Sequence, residues 1–218
     1  MAKGRHHRER AAAKLKRKQG KRPPYPRILV VCEGSKTEPN YFDEIRIRNR
    51  VPSAHITVLH SELGTQPRQV VDFAEAKFQE TRAYEHVYAV FDRDEHRTYH
   101  DALTRAQALD GTLRNDERTP VTFTAIASVP CFEFWLLIHY ADIRAYFERD
   151  EIYRRLRQHM PRYEKGARDV FAATEANLDH ATRRAVSLRE RFNPFAGNEP
   201  YTNADVLVAL LRSIRRQA

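Results

Sequence analysis

Short apolar runs and helical periodicities alternate along the chain. Four runs rich in β-branched residues have the length of strands buried on both faces, and they cover 27–32, 54–60, 86–91 and 121–128. Between these runs, apolar residues recur with helical spacing over 37–49, with Thr37 as the predicted N-cap, and over 65–84 and 99–109. Because strands joined through helices run parallel, we expect an α/β fold: a mostly parallel, four-stranded Rossmannoid sheet flanked by helices in three layers.

Beyond Pro130 the residues favour helices over strands. Helix formers dominate 132–140, 143–159, 167–191 and 203–215, and no further strand is predicted there. The pattern divides the chain into three parts: a basic disordered arm with a Pro-rich linker (1–26), an α/β core (27–140) and a helical C-terminal extension that packs on the core (141–218).

Positive charge is concentrated before the first strand. The chain has 38 Lys and Arg against 29 Asp and Glu, a net charge of +9, and residues 1–27 alone contribute +10. Such a block suits contact with a phosphate backbone, because each neutralised phosphate releases counterions. The candidate contacts in the arm are Lys14, Lys16, Arg17, Lys18, Lys21 and Arg22. A solvated arm that aids solubility is the alternative.

Several classes of protein are excluded by the composition. The longest apolar stretch near Trp135 is far shorter than the roughly 20 residues that span a bilayer. Cys32 and Cys131 lie in unrelated contexts and supply neither a disulfide framework nor a CxxC metal clamp. No apolar segment follows the charged N-terminus as in a secretory signal, so we expect a cytoplasmic protein without a membrane partner.

The first candidate for chemistry follows the first strand. Glu33 stands at the carboxyl end of that strand, where open parallel sheets bind ligands, and Gly34 lets the backbone turn sharply. Lys36 and Thr37 look like the last residues of a P-loop, but the glycines that this motif requires are absent. An ordinary turn with surface charges is the alternative interpretation.

The third predicted strand ends in an Asp-x-Asp motif, Asp92 and Asp94. On an extended backbone, side chains at i and i+2 point the same way, so the two carboxylates can share one hard cation, Mg²⁺ or Mn²⁺. Glu33 ends a parallel strand at the same edge, and three crowded carboxylates are costly without a cation. Two surface acids balanced by Arg93 and His96 are the alternative.

Other catalytic motifs are missing from the sequence. No HExxH motif or Cys/His cluster supports a zinc site, and Ser35 lacks the G-x-S-x-G context of a nucleophile elbow. His96, close to the Asp-x-Asp motif, is either a group that assists a leaving group or a surface residue.

Three segments together resemble the RloB family, a TOPRIM-like group found beside restriction and abortive-infection genes. They are VCEG with TEPNYF within 31–42, FDRDEH at 91–96 and SVPCFEFWLL at 128–137. The Glu-Gly turn and the Asp-x-Asp motif at strand ends are also similar to the TOPRIM pattern of topoisomerases, primases and OLD-type nucleases. The resemblance runs from Ile28 to the C-terminus and includes the Lys165 region and 198–203.

The resemblance implies a TOPRIM-like core in which Glu33, Asp92 and Asp94 are the catalytic, metal-linked acids. Glu133, after the fourth strand, is a further candidate metal ligand, although an acid there also complements the dipole at a helix start. Lys165 resembles a lysine that could stabilise a phosphorane in OLD-type nucleases, and a solvated lysine is the alternative. Where those enzymes carry another acid after the strand-end Glu, this chain departs from the pattern and offers Thr37 and Glu38.

The function expected from these residues is metal-dependent hydrolysis of phosphodiester bonds in RNA or DNA, in a phage-defence or abortive-infection setting. A cation on Asp92 and Asp94 would bind the scissile phosphate, with Glu33 as second ligand or general base. Lys165 or Arg93 would stabilise the phosphorane. Besides the arm, the candidate contacts to nucleic acid are Lys36 and Arg93. The resemblance also implies a companion ATPase, and self-association stays open.

Two other functions stay open at this point. One is a non-catalytic TOPRIM-like module that binds nucleic acid or a partner protein, with acids that are structural or bind a metal only to order the loops. The other is nucleotidyl transfer with the same acids, as in primases. Dependence of cleavage on a metal and on Asp92 distinguishes a nuclease from a binding module.

Overall fold

The computed structural model describes residues 25–94, 96–195, 197 and 199–214. Within these residues the chain forms an α/β fold around one five-stranded sheet. The strands are β1 (Ile28–Cys32), β2 (Ile56–His60), β3 (His86–Asp92), β4 (Thr122–Val129) and β5 (Tyr201–Thr202). Their order is β2-β1-β3-β4-β5, and only β5 runs antiparallel to its neighbour. The expected α/β fold and mostly parallel sheet are confirmed.

Helices connect the parallel strands and form most of the C-terminal third. They are α1 (Thr37–Arg48), α2 (Pro67–Thr81), α3 (Tyr99–Leu109), α4 (Phe132–Leu137), α5 (Arg149–His159), α6 (Val170–Thr174), α7 (Leu178–Arg191) and α8 (Ala204–Ser213). The first three follow the predicted ranges closely. The predicted helix over 167–191 is instead two helices joined by a 3₁₀ turn, Glu175–Asn177.

The central strand β1 explains the three-layer arrangement. All five of its side chains are fully buried, and they alternate between two hydrophobic clusters on opposite faces of the sheet. Leu29 and Val31 pack with α2 and α3, whereas Val30 packs with α1 and the C-terminal helices. Each buried aliphatic side chain contributes roughly 1.5–3 kcal/mol to folding, so the carboxyl end of β1 is held firmly in place.

The strand β5 corrects the prediction that no strand follows Pro130. Tyr201 and Thr202 pair with the end of β4, and the next residue covers more of that edge. The Nδ2 of Asn203 donates to the carbonyl of Ala125 at 2.9 Å, and its Oδ1 accepts from the N–H of Ala127 at 2.8 Å. An amide side chain thus replaces a neighbouring strand, which leaves less of the edge open to unwanted pairing.

The basic arm lies largely outside the described residues. This applies to all six of its predicted nucleic-acid contacts: Lys14, Lys16, Arg17, Lys18, Lys21 and Arg22. Of 1–26, the structure describes Tyr25 and Pro26, and Tyr25 meets His55 edge to face with ring centroids 5.7 Å apart. No helix in the described part of the chain has the length and apolar character needed to cross a bilayer.

Candidate metal centre at the carboxyl end of the sheet

Glu33 and Asp92 meet because β1 and β3 are parallel neighbours. Cys32 pairs with Val90, so the two strands end side by side. The N–H of Glu33 continues the ladder to the carbonyl of Val90 at 2.8 Å, and the N–H of Asp92 donates to Oε2 of Glu33 at 2.9 Å. The structure therefore brings these two predicted site residues together through a backbone contact.

Asp94 reaches the same place by a different backbone route than expected. Its φ of +38° is left-handed, and its N–H donates to the carbonyl of Pro130 at 3.2 Å, so the chain has left the extended conformation after Asp92. The prediction that Asp94 continues the extended strand is therefore wrong. The two carboxylates nevertheless converge, because both contact one side chain from a later helix.

That side chain is Arg149, the first residue of α5, which is not among the site residues predicted from the sequence. Its Nη2 lies 3.0 Å from Oδ2 of Asp92 and 2.6 Å from Oδ2 of Asp94. Asp92 is buried and 57 positions away, and no motif or spacing links it to an arginine in a separate helix. Only the packing of α5 against α4 at the carboxyl edge of the sheet creates this ion pair.

Glu33, Asp94 and His96 form the group best placed to hold a metal ion among the described residues. One potential ligand atom from each lies within 4.8 Å of the others, and Nε2 of His96 is 3.6 Å from Oε1 of Glu33. Two carboxylates and an imidazole fit a divalent cation. The nitrogen donor suits Mn²⁺ better than Mg²⁺, which prefers oxygen ligands. Asp92 borders this group without belonging to it.

Glu38 adds a fourth carboxylate to the carboxyl edge. It is buried in the first turn of α1 and lies against Gly34, where a Cβ atom would come within 2.5 Å of Oε2 of Glu38. A glycine in the Glu-Gly turn therefore leaves room for this acid. In the sequence, Glu38 stands out only as a departure from the OLD-type pattern, whereas the structure places it beside Glu33.

Burial and mutual repulsion make these acids hard to ionise. Burial, with the charge of Asp94, raises the pKa of Glu33 to about 7. Burial, with Glu133 and Glu33, likewise raises the pKa of Glu38 to about 7. Burial and the surrounding carboxylates raise the pKa of Asp92 well above its usual range. Such a cluster is stabilised by protons or by cations.

Glu133 lies deeper than the other acids and has its own partner. It is 2% exposed at the start of α4, and the hydroxyl of Tyr163 donates to its Oε1 at 2.9 Å. Burial and the Glu133 carboxylate raise the pKa of Tyr163, so the phenol stays protonated and remains a donor. Glu133 is close enough to raise the pKa of Glu38 and Asp92, but it is outside the group of Glu33, Asp94 and His96.

Lys165 is brought to the acids by a loop that is fastened to α1. The N–H of Gly166 donates to Oγ1 of Thr37 at 3.0 Å, and Nδ2 of Asn40 donates to the carbonyl of Gly166 at 2.9 Å. Thr37 therefore binds this loop and is not the N-cap, which is Lys36. Lys165 is exposed. Burial raises the pKa of Glu33 and Asp94, and the positive charge of Lys165 acts against that rise.

The remaining predicted contacts flank the acids. Lys36 is exposed and lies against Gly166 on the same side as Lys165. Arg93 lies over the ring of Tyr99 at 5.6 Å and donates to the carbonyl of Gly197. A cleft of about 680 Å³ opens beside the acids, and its lining consists of Arg93, Asp94, His96, Pro130, Tyr146, Glu148 and Arg149.

Comparisons with known proteins give one result. A family model described as RloB-like protein matches residues 28–211, which include every element of the sheet and all the acids of the carboxyl edge. No curated protein matches the chain. No solved structure matches it.

Proposed function

The chain belongs to the RloB-like family, and from that premise we propose that it is a metal-dependent nuclease with its active site at the carboxyl end of the sheet. The observation that carries the proposal is the convergence of Glu33, Asp92 and Asp94 from two adjacent parallel strands. An acid after β1 and an Asp-x-Asp motif at the end of β3 are the arrangement expected of a TOPRIM-like core, and we assign the fold to that class as part of the proposal.

A divalent cation fits the site by its donor set. Glu33, Asp94 and His96 would hold the ion, and Asp92 would lie next to it. When bound, Mg²⁺ or Mn²⁺ would neutralise negative charge that develops on the phosphate in the transition state.

Glu33 and Lys165 would have the other roles in the reaction. A pKa near 7 suits a general base at neutral pH only while the carboxylate is not bound to a cation, so Glu33 would either hold the ion or accept a proton from the attacking water. The water oxygen bonds to phosphorus as the bond to the leaving oxygen breaks, and the leaving oxygen takes a proton from solvent. Lys165, exposed beside Glu33 and Asp94, would face the phosphate and offset its charge.

The proposal extends to substrate and setting. The basic arm would hold RNA or DNA through its phosphates, and Lys36 and Arg93 would continue that contact at the cleft. The family resemblance supports a phage-defence or abortive-infection role in the cytoplasm, with a companion ATPase that controls the enzyme.

A binding module is the second candidate function. Arg149 already forms an ion pair with both Asp92 and Asp94, and such an ion pair is also what a purely structural acid cluster would need. In that case the carboxyl edge would bind nucleic acid or a partner protein without cutting it.

Cleavage assays on matched variants test the proposal. The full chain is incubated with transfer RNA, single-stranded DNA and plasmid in Mg²⁺ or Mn²⁺, with and without a chelator. We expect chelator-sensitive cleavage that falls at least 100-fold in Glu33→Gln and Asp92→Asn. The control is Glu85→Gln, because Glu85 precedes β3 at the opposite end of the sheet and pairs with Arg27 at 3.1 Å.

Three results would count against a nuclease. Cleavage that survives both substitutions would come from a contaminant. Equal loss in Glu85→Gln would indicate general destabilisation. Binding without cleavage, unchanged by any substitution, would support the binding module.

A further inference from the structure

Arg149 occupies the position that a cation shared by Asp92 and Asp94 would take. One nitrogen, Nη2, contacts an oxygen of each carboxylate, at 3.0 Å and 2.6 Å. The side chain is 34% exposed, so it is reached from the cleft and is not sealed inside the core. Arg149 is therefore the counter-ion of this acid pair in the cation-free protein.

The helix α5 contributes little to holding the Arg149 guanidinium against Asp92 and Asp94. Arg149 is the first residue of α5, where the helix dipole disfavours a positive charge. Its Nε is buried and has no hydrogen-bond partner among the described residues. Apart from a hydrogen bond with the Cys131 thiol, the guanidinium is thus held by Asp92 and Asp94, and a competing cation at these acids would release it.

Asp94 links this ion pair to the candidate metal centre. It contacts Arg149 and also belongs to the group with Glu33 and His96. A divalent cation in that group and the guanidinium on the same carboxylate would place like charges within a few ångströms of each other, which is strongly unfavourable at a half-buried site. The two occupants therefore compete for Asp94.

The cleft offers Arg149 a second position. Arg149 lines it together with Arg93, His96 and Tyr146, and the acids Asp94 and Glu148 also face it. A guanidinium that turns away from Asp92 and Asp94 enters this space, where a phosphate of a bound strand would meet its paired N–H donors.

We propose that Arg149 exchanges with the divalent cation: it forms the ion pair with Asp92 and Asp94 in the cation-free protein, and after release it binds a phosphate of the nucleic acid. The phosphate contact rests on the nuclease function proposed above, whereas the exchange does not. Because the same side chain serves both states, Asp92 and Asp94 keep a positively charged partner before the cation binds, and the phosphate contact becomes available only afterwards.

Direct Mn²⁺ titration of the full chain by calorimetry tests the exchange. Arg149→Ala and Arg149→Gln both remove the competing charge, and we expect at least tenfold tighter Mn²⁺ binding in each. Arg149→Lys keeps a cation and should stay within threefold of the unsubstituted chain. The matched control is Arg155→Ala: Arg155 lies in the same helix, is also 34% exposed and pairs with Glu151 at 2.6 Å.

The substitutions distinguish an effect of the Arg149 charge on Mn²⁺ affinity from an effect of the side chain on the stability of the fold. A merely structural Arg149 predicts a lower melting temperature and unchanged Mn²⁺ affinity in Arg149→Ala, which would overturn the exchange. Absence of Mn²⁺ binding in the unsubstituted chain and in Arg149→Ala alike would overturn it too. Should Arg149→Ala fail to fold, Arg149→Gln, which is closer in size, carries the same expectation.

A second measurement tests the phosphate contact. At saturating Mn²⁺, a fluorescent phosphorothioate oligonucleotide should bind Arg149→Ala at least fivefold more weakly than Arg155→Ala, and equal affinities would reject the contact. Tighter Mn²⁺ binding in Arg149→Ala without cleavage by the unsubstituted chain would keep the exchange and reject the nuclease. Metal-dependent cleavage with unchanged Mn²⁺ affinity in Arg149→Ala would instead support the nuclease and reject the exchange.

Discussion

The backbone N–H of Asp92 donates a hydrogen bond to Oε2 of Glu33 at 2.9 Å, so the last residue of β3 orients the acid that follows β1. One carboxylate oxygen is thereby committed to the backbone. The other, Oε1, faces His96 at 3.6 Å. The fold thus fixes which oxygen of Glu33 is directed toward a ligand.

This contact predicts how Glu33→Gln behaves. The amide oxygen of Gln can still accept from Asp92, and the loss of one negative charge relieves repulsion with Asp94. The metal-free variant should therefore melt at or above the temperature of the unsubstituted chain, while its Mn²⁺ affinity falls at least tenfold. Glu33→Ala, which also loses the acceptor, should melt lower. Thermal melts and calorimetry check this, and a lower melting temperature in Glu33→Gln would contradict it.

Much of the fold could be predicted because the parallel strands are buried on both faces. The run RILVVC at 27–32 has no polar residue after Arg27, which is the pattern of a central parallel strand, and Glu33 is then the first acid at its carboxyl end. Strand β5 could not be predicted in this way. Two residues, Tyr201 and Thr202, show no periodicity, and their strand exists only because the end of β4 is there to pair with.

The partners of the acids were beyond prediction for a related reason. Arg149 and Tyr163 lie in or after α5, and nothing in the spacing of the sequence connects them with Asp92 or Glu133. The position of Asp94 could not be predicted from local geometry. Its backbone is left-handed, whereas the prediction that Asp92 and Asp94 share a cation assumed an extended backbone. Sequence periodicity locates elements, whereas contacts between distant side chains depend on how those elements pack.

Stability of the metal-free protein should fall as the pH rises. In the folded state Glu33 and Glu38 have pKa values of about 7, above the roughly 4.3 of an unfolded glutamate. Between these values the folded state binds more protons than the unfolded state, so the stabilisation is complete below about pH 4 and is lost as the pH rises through 7. We expect urea unfolding to give a free energy about 1–3 kcal/mol lower at pH 8 than at pH 6. Glu38→Gln should reduce that difference, and stability that rises with pH would contradict it.

His96 should determine the preference for the metal. Imidazole is a better ligand for Mn²⁺ than for Mg²⁺, so His96→Ala should lower Mn²⁺ affinity about tenfold and leave Mg²⁺ affinity nearly unchanged. His100→Ala is the control, because His100 is exposed and stacks on Phe195 outside the group of Glu33, Asp94 and His96. Calorimetric titrations with both ions measure the effect. Equal losses for both metals would show that His96 is not a ligand.

Gly166→Ala should displace the Lys165 loop. Gly166 has φ of +82°, and an added Cβ would lie 2.8 Å from Cβ of Lys36. We expect a loss of roughly 1–3 kcal/mol in stability and a fall in cleavage similar to that of Lys165→Ala. Gly111→Ala is the control, because Gly111 also has positive φ, at +67°, but a Cβ there meets no atom within 4 Å. If both glycine variants cleave equally well, the position of Lys165 is unimportant.

Tyr163→Phe tests whether Glu133 is structural or a metal ligand. The substitution removes one of the two phenols, Tyr163 and Tyr153, that hydrogen-bond to Glu133, and the loss of a donor to this buried carboxylate costs about 1–3 kcal/mol. Tyr146→Phe makes the same chemical change at an exposed bond to Glu148 and should cost less than about 0.5 kcal/mol. Because Glu133 is outside the group of Glu33, Asp94 and His96, Mn²⁺ affinity should stay within threefold in Tyr163→Phe and in Glu133→Gln. A tenfold loss of Mn²⁺ affinity in Glu133→Gln, with its melting temperature unchanged, would instead identify Glu133 as a ligand and extend the metal centre into the base of α4.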